Sequence, residues 1–152
     1  MANEATSQPK QTALVTGASA GIGKELAQLF AADGHDVVLV ARSENKLEEL
    51  AAELTKAYGV KAHVIAADLG DRAAPAAVVE QVRVRGLTVD ILVNNAGFGS
   101  NGAFLDLDLK RELEMIDVNV RSLVELTHQL ARPMRARGFG RVMNIASTAG
   151  FQ

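Results

Sequence analysis

The sequence predicts an α/β fold, a doubly wound parallel sheet of five strands in the order 3-2-1-4-5. Three observations carry that expectation. Five short runs rich in Val, Ile, Leu and Ala recur along the chain, continuous rather than alternating with polar residues, as strands buried on both faces require. Segments with helical apolar spacing separate the runs. A glycine-rich turn joins the first run to the first of those segments. Right-handed crossovers between parallel strands then give the doubly wound order. A ligand is expected across the point between strands one and four where the winding reverses, at the strands' carboxyl ends.

Each element follows in order. Thr12 to Thr16 is the first strand. Ile22 to Ala32 has helical spacing through Ile22, Leu26, Leu29 and Phe30, and Asp33-Gly34 ends it, glycine being the residue that stops a helix in the left-handed conformation. Asp36 to Ala41 is the second strand. Ser43 is the expected cap of a helix whose face carries Leu47, Leu50, Ala51 and Leu54, and Gly59 stops it. Val60 to Ala66 is the third strand. Asp71 caps a weaker helix with Val78, Val79 and Val82 on one side. Val89 to Val93 is the fourth strand, and the loop from Asn94 to Asn101 is rich in Gly and Asn. A long helix runs from Leu109 to Arg137 with an apolar stripe of Leu113, Ile116, Val120, Leu123, Val124, Thr127 and Leu130, kinked or loosened near Pro133. Arg141 to Ile145 is the fifth strand.

Composition narrows the function classes. The chain has 152 residues, 48% hydrophobic and 22% charged, with a net charge of −2. That size and composition fit one domain with a core of its own. There is no basic footprint for nucleic acid and no polybasic membrane patch. With no cysteine, disulfides and thiolate chemistry are excluded; this fits a reducing compartment, and the expected location is the cytoplasm. Met1 to Gln11 is polar, without the apolar centre of a secretory signal, and reads as a disordered tail. No apolar run is long enough to span a bilayer. His35, His63 and His128 are too scattered for a metal site, so none is expected.

Thr16-Gly17-Ala18-Ser19-Ala20-Gly21-Ile22-Gly23 lies between the first strand and the first helix. Glycines there permit close backbone approach to a ligand, and the N–H groups at the helix start form a ready anion site for a pyrophosphate. The spacing is G-x-x-x-G-x-G rather than the usual dinucleotide fingerprint G-x-G-x-x-G. On this reading residues 12–152 form one dinucleotide-binding domain.

The turn resembles the cofactor loop of the short-chain dehydrogenase/reductase family, a Rossmann-type fold, and the resemblance covers residues 12–152. Four further features agree: Asp68-Leu69 after the third strand, Asn94-Asn95-Ala96-Gly97 after the fourth, Asn119 in the long helix, and Ser147 after the fifth strand. The resemblance implies that Gly17, Ser19, Ala20, Gly21, Ile22 and Gly23 bind the cofactor's pyrophosphate, that Asp68 and Leu69 contact its adenine, and that among the cofactor-binding residues after the fourth strand Asn95 ties the sheet together while Ala96 and Gly97 let the cofactor pass closely. It implies catalytic roles for Ser147, as hydrogen-bond donor to a substrate carbonyl, and for Asn119, in a proton relay.

The nicotinamide cofactor is expected to be NADP(H) in preference to NAD(H). An NAD enzyme commonly places an acidic residue after the second strand for the ribose 2′-hydroxyl. This chain has Ala41 followed by Arg42, whose guanidinium can pair with a 2′-phosphate. The resemblance implies an oxidoreductase that interconverts a carbonyl and an alcohol in a small molecule, with association into a homo-oligomer through the 109–137 helix. Alternatives are a catalytically silent dinucleotide-binding or interaction domain, and an epimerase or dehydratase on the same scaffold. The family's proton-donating Tyr-x-x-x-Lys segment is expected beyond Gln152, leaving a domain incomplete on its C-terminal side. Tyr58, the one tyrosine, lies before the third strand and cannot replace it.

Overall fold

Five strands, β1 (Thr12–Thr16), β2 (Asp36–Ala41), β3 (Ala62–Ala66), β4 (Ile91–Asn94) and β5 (Arg141–Asn144), form one sheet in the order β3-β2-β1-β4-β5. Every neighbouring pair is parallel. The structure, a computed structural model, describes residues 10–147. The expected order of strands is the observed one.

The pleat sends alternate residues of each strand to opposite faces. Ala13, Val15, Val37 and Leu39 pack with Leu47, Leu50 and Leu54 on one face. Leu14, Val38, Val40 and Leu92 pack with Val78, Val82, Leu126 and Leu130 on the other. The helices α1 (Gly21–Ala32) and α2 (Glu44–Tyr58) cover the first face, and α3 (Ala74–Val84) and α5 (Leu123–Arg137) cover the second. All strand carboxyl ends therefore open on one edge.

Several local expectations need correction. Strand β3 begins at Ala62 rather than Val60, and β4 runs from Ile91 to Asn94 rather than from Val89. Val60 and Val89 are buried all the same, so their apolar character reflects core packing rather than sheet pairing. Ser43 is the residue before α2, but its side chain makes no capping bond. Asp71 accepts from the Ala73 N–H at 2.9 Å, closing the turn that leads into α3. Ile22 and Leu29 are exposed, and α1 is seated on Gly23, Ala27 and Ala31 instead. Small residues bring this helix close to the sheet, and of the larger apolar ones Leu26 and Phe30 pack partly buried against the core.

The expected helix over 109–137 is divided. Residues Leu109–Ile116 form α4, Asp117–Ser122 form a π-helical turn, and α5 follows. Pro133 lies inside α5, which continues to Arg137. The expected apolar stripe spans two faces. Leu126, Leu130 and Met134 are buried, whereas Leu113, Ile116, Val120 and Val124 are each at least half exposed. The extra residue per turn in the π segment rotates one face against the other. Of the expected tail, residues 1–9 lie outside the description. Lys10 pairs with Asp36 at 2.8 Å and Gln11 is buried.

Candidate functional site

The turn after β1 is built around Thr16. Its buried Oγ1 donates to the Val93 carbonyl at 3.3 Å and accepts from the N–H groups of Asn95 and Ala96, each at 3.0 Å. Asn95 Nδ2 donates back to the Thr16 carbonyl at 2.9 Å. Residues after β4 are thus tied to the end of β1 across the point where the winding reverses. Asn94 performs a similar function on the far side: its Nδ2 donates to Thr127 Oγ1 and to Asn144 Oδ1, each at 2.9 Å, linking β4 to α5 and β5.

Packing here leaves no room for side chains at two glycines. A Cβ on Gly17 would lie 2.8 Å from Asn95 Nδ2 and 3.0 Å from Ala96 Cα, and the φ of +67° is itself a left-handed conformation. A Cβ on Gly23 would overlap the Gly17 carbonyl and Asn95 Nδ2. The start of α1 therefore sits directly against the turn. No side chain caps it and its first turn holds no acidic residue, so its positive dipole end is left without a protein counter-charge.

A cleft of about 250 Å³ opens along the strand ends. Of the sequence-predicted residues, Gly17, Ser19, Arg42, Asp68, Leu69, Ala96 and Gly97 line it. Ala20, Gly21, Ile22, Gly23 and Asn95 frame the turn without lining the cleft. Arg42 is exposed, and among the described residues no hydrogen bond or ion pair holds its guanidinium. Asp68 Oδ1 accepts from the Gly70 N–H at 3.0 Å, so this carboxylate also closes its own turn. Sequence reasoning overlooked Thr16, Phe98, Arg111 and Glu114. A buried threonine ending an apolar strand was a usable signal for the first; the last two read as an ordinary solvated helix face.

Asn119 lies in the π-helical turn and bonds the backbone of Phe98, donating to its carbonyl at 2.8 Å and accepting from its N–H at 3.1 Å. Its amide also lies against Gly97, where a Cβ would approach Asn119 Oδ1 at 3.1 Å. Ser147 follows β5, exposed, on the same sheet edge. Neither Asn119 nor Ser147 lines the cleft. Tyr58 ends α2 and also lies away from the cleft-lining residues. Among the described residues no group of three potential metal ligands occurs, and no helix is long and apolar enough to cross a membrane.

The family model of the short chain dehydrogenases matches residues 11–152. The chain belongs to that family. Among its short-chain dehydrogenase relatives, the very-long-chain 3-oxoacyl-CoA reductase of Anas platyrhynchos is 38% identical over 144 residues, which are 91% of this chain and 45% of that protein. A short-chain dehydrogenase from Sphingobium yanoikuyae, solved in complex with NADPH, superposes with a TM-score of 0.87 at 39% identity, covering 93% of this chain and 55% of that one. The L-sorbose reductase of Gluconobacter frateurii, complexed with NADPH and L-sorbose, gives 0.89 at 38% identity over 94% of this chain and 54% of its own. The chain spans about half the length of the curated relatives it matches. In this short-chain dehydrogenase, Asn95 ties the loop after β4 to the end of β1, and Asn119 in the π-helical turn holds Phe98 of the same loop.

Proposed function

We propose that these residues form the cofactor-binding part of an NADP(H)-preferring oxidoreductase that interconverts a carbonyl and an alcohol. The observation that carries this reading is the pairing, in one cleft, of the tight glycine turn with Arg42 and no acidic residue at the end of β2. The residues present fit a dinucleotide. Gly17 and Gly23 let the start of α1 sit directly against the turn, the uncapped start of α1 favours a pyrophosphate, and Arg42 favours a 2′-phosphate. Asp68 and Leu69 stand at the β3 end, where an adenine amino group would find a carboxylate acceptor. Asn95, Ala96 and Gly97 border the middle of the cleft.

The nicotinamide, when bound, supplies or accepts the hydride. On this chain's side, Ser147 is proposed to donate a hydrogen bond to the substrate oxygen as charge develops there. Asn119, by fixing Phe98, is proposed to hold the loop beside the reacting groups and to support proton movement. Relatives named as 3-oxoacyl-CoA and L-sorbose reductases favour a carbonyl substrate. The exposed stripe of Leu109, Leu113, Ile116, Val120 and Val124 supports association of the protein with its own copy. The expected setting is the cytoplasm.

The test is a calorimetric titration of the protein with NADPH and with NADH, repeated on Arg42→Ala. Tighter binding of NADPH, with a loss in the variant of about ten-fold for NADPH and little for NADH, is the expected result. An equal loss for both would remove the NADP(H) preference, and no binding of either would remove the cofactor reading itself.

A further inference from the structure

The geometry points to Arg111 as a second cation for a phosphate of the bound dinucleotide, an inference that rests on the dinucleotide reading above. Arg42 and Arg111 are the two cations among the described residues lining the cleft. Arg42 comes from the β2 end; Arg111 comes from α4, on another wall. The residues between Gly17 and Gly21 are Ala18, Ser19 and Ala20, so the glycine turn brings no positive side chain of its own.

Helix α4 contributes Arg111 and Glu114 to the cleft lining. Glu114, one turn after Arg111, faces the turn after β3: a Cβ on Gly70 would meet its Cγ at 3.0 Å and its Oε1 at 3.3 Å. Arg111 faces the loop after β4, its guanidinium carbon 4.9 Å from the centroid of the Phe98 ring. The electron-rich ring face attracts the cation and orients its plane. Phe98 is in turn fixed through its backbone by Asn119. Among the described residues Arg111 has no ion pair, whereas Arg72 and Arg121, near the same helical segment, are both paired with Asp117. Arg111 is therefore a seated guanidinium without a direct ion pair, in a cleft whose lining also carries Glu114 and Asp68. Its planar set of donors suits a phosphate, and a lysine would supply the charge without the fork.

The test measures dissociation constants of the whole protein for NADPH and NADH by calorimetry, at low and high salt, for wild type, Arg111→Gln and Arg111→Lys. Thermal melts establish that the variants are folded, as expected for an exposed side chain. The expected result is about ten-fold weaker NADPH binding in Arg111→Gln, a weaker salt dependence, and partial recovery in Arg111→Lys. Loss confined to NADPH assigns the 2′-phosphate as the partner; equal loss with NADH assigns the pyrophosphate. Unchanged affinity for both cofactors overturns the proposal. So does a loss as large in Arg111→Lys as in Arg111→Gln with salt dependence unaltered, which would make the residue a packing partner of Phe98. Wild-type protein that binds neither cofactor overturns the underlying dinucleotide reading along with it, and is told apart by the wild-type titration alone.

Discussion

Asn119 and Phe98 close a ring of two hydrogen bonds, side-chain amide against backbone amide, at 2.8 and 3.1 Å. The pairing copies what a neighbouring strand would offer Phe98, in a loop that has none. It also accounts for an asparagine in a helical segment, where the residue is otherwise a poor choice. Asn119→Ala removes both bonds from an exposed site, and the expected loss of stability is about 1 kcal/mol. The sharper expectation concerns the loop. Hydrogen exchange at the Phe98 amide should accelerate in the variant while the β1 and β4 amides keep their protection. An unchanged Phe98 rate would mean that the loop is held by other contacts.

Thr16 carries more weight than its size suggests. Its one hydroxyl oxygen serves the N–H groups of Asn95 and Ala96 and satisfies the Val93 carbonyl, all in a site where Thr16 is 2% exposed. Thr16→Val keeps the shape and removes the acceptor, leaving two N–H groups without it. A buried group left unsatisfied costs about 1–3 kcal/mol; with the Asn95 and Ala96 N–H groups part-buried, urea denaturation should show a loss of about 1–3 kcal/mol. Thr16→Ser, which retains the oxygen, should recover most of it. Similar stability of the valine and serine variants would show that the hydroxyl is not what joins β1 to the loop after β4.

Gly23→Ala tests the contact between the first helix and the turn. Alanine is the better helix former by about 1 kcal/mol, so propensity alone predicts stabilisation. Packing predicts the reverse, because the added methyl would overlap the Gly17 carbonyl, which is backbone and cannot rotate away. Overpacking of this kind costs about 1–3 kcal/mol. The expected net outcome is a lower denaturation midpoint together with weakened NADPH binding, since the turn must shift to admit the methyl. A more stable variant with unaltered binding would remove the close-approach argument for this glycine.

The parts of the fold that were legible in the sequence are those governed by continuous burial. Val37 to Val40 and Ile91 to Val93 are covered on both faces, so their apolar runs needed no knowledge of partners to be read. Helix faces were less legible. Ile22 and Leu29 fit a helical apolar pattern yet point outward, because α1 uses alanine and glycine for its contact with the sheet. In 109–137 the π-helical turn changes the phase of the pattern, and no residue type announces it beyond Asn119. Asn95 was expected to tie the sheet together and does so through Thr16. The side chains that line the cleft from α4, Arg111 and Glu114, share the composition of any solvated surface. They are placed there by the tertiary path of the chain, which a local pattern does not encode.

His63 should give the protein a stability that rises with pH below neutrality. Burial is the largest influence on it and lowers its pKa from the usual 6.5; Asp36 opposes that shift, and Arg85 and Lys61 reinforce it. In the unfolded chain the imidazole returns to its ordinary value. Between the folded pKa and 6.5 the unfolded chain therefore holds a proton that the folded protein declines, and stability increases with pH through that window. The contribution is fully present above 6.5 and is lost as pH falls through the folded pKa. Asp36 acts in a separate range. Burial raises its pKa, but the hydrogen bonds from Lys10 and from the Lys61 N–H, with the charges of both lysines, leave it below the usual 3.8. Its contribution is thus present above 3.8 and is lost as pH falls through its folded pKa, below that value. Urea midpoints measured from about pH 5 to pH 8, the range in which histidine titrates, should slope upward for wild type and be flatter for His63→Gln. Parallel slopes in the two proteins would assign the pH dependence to another group.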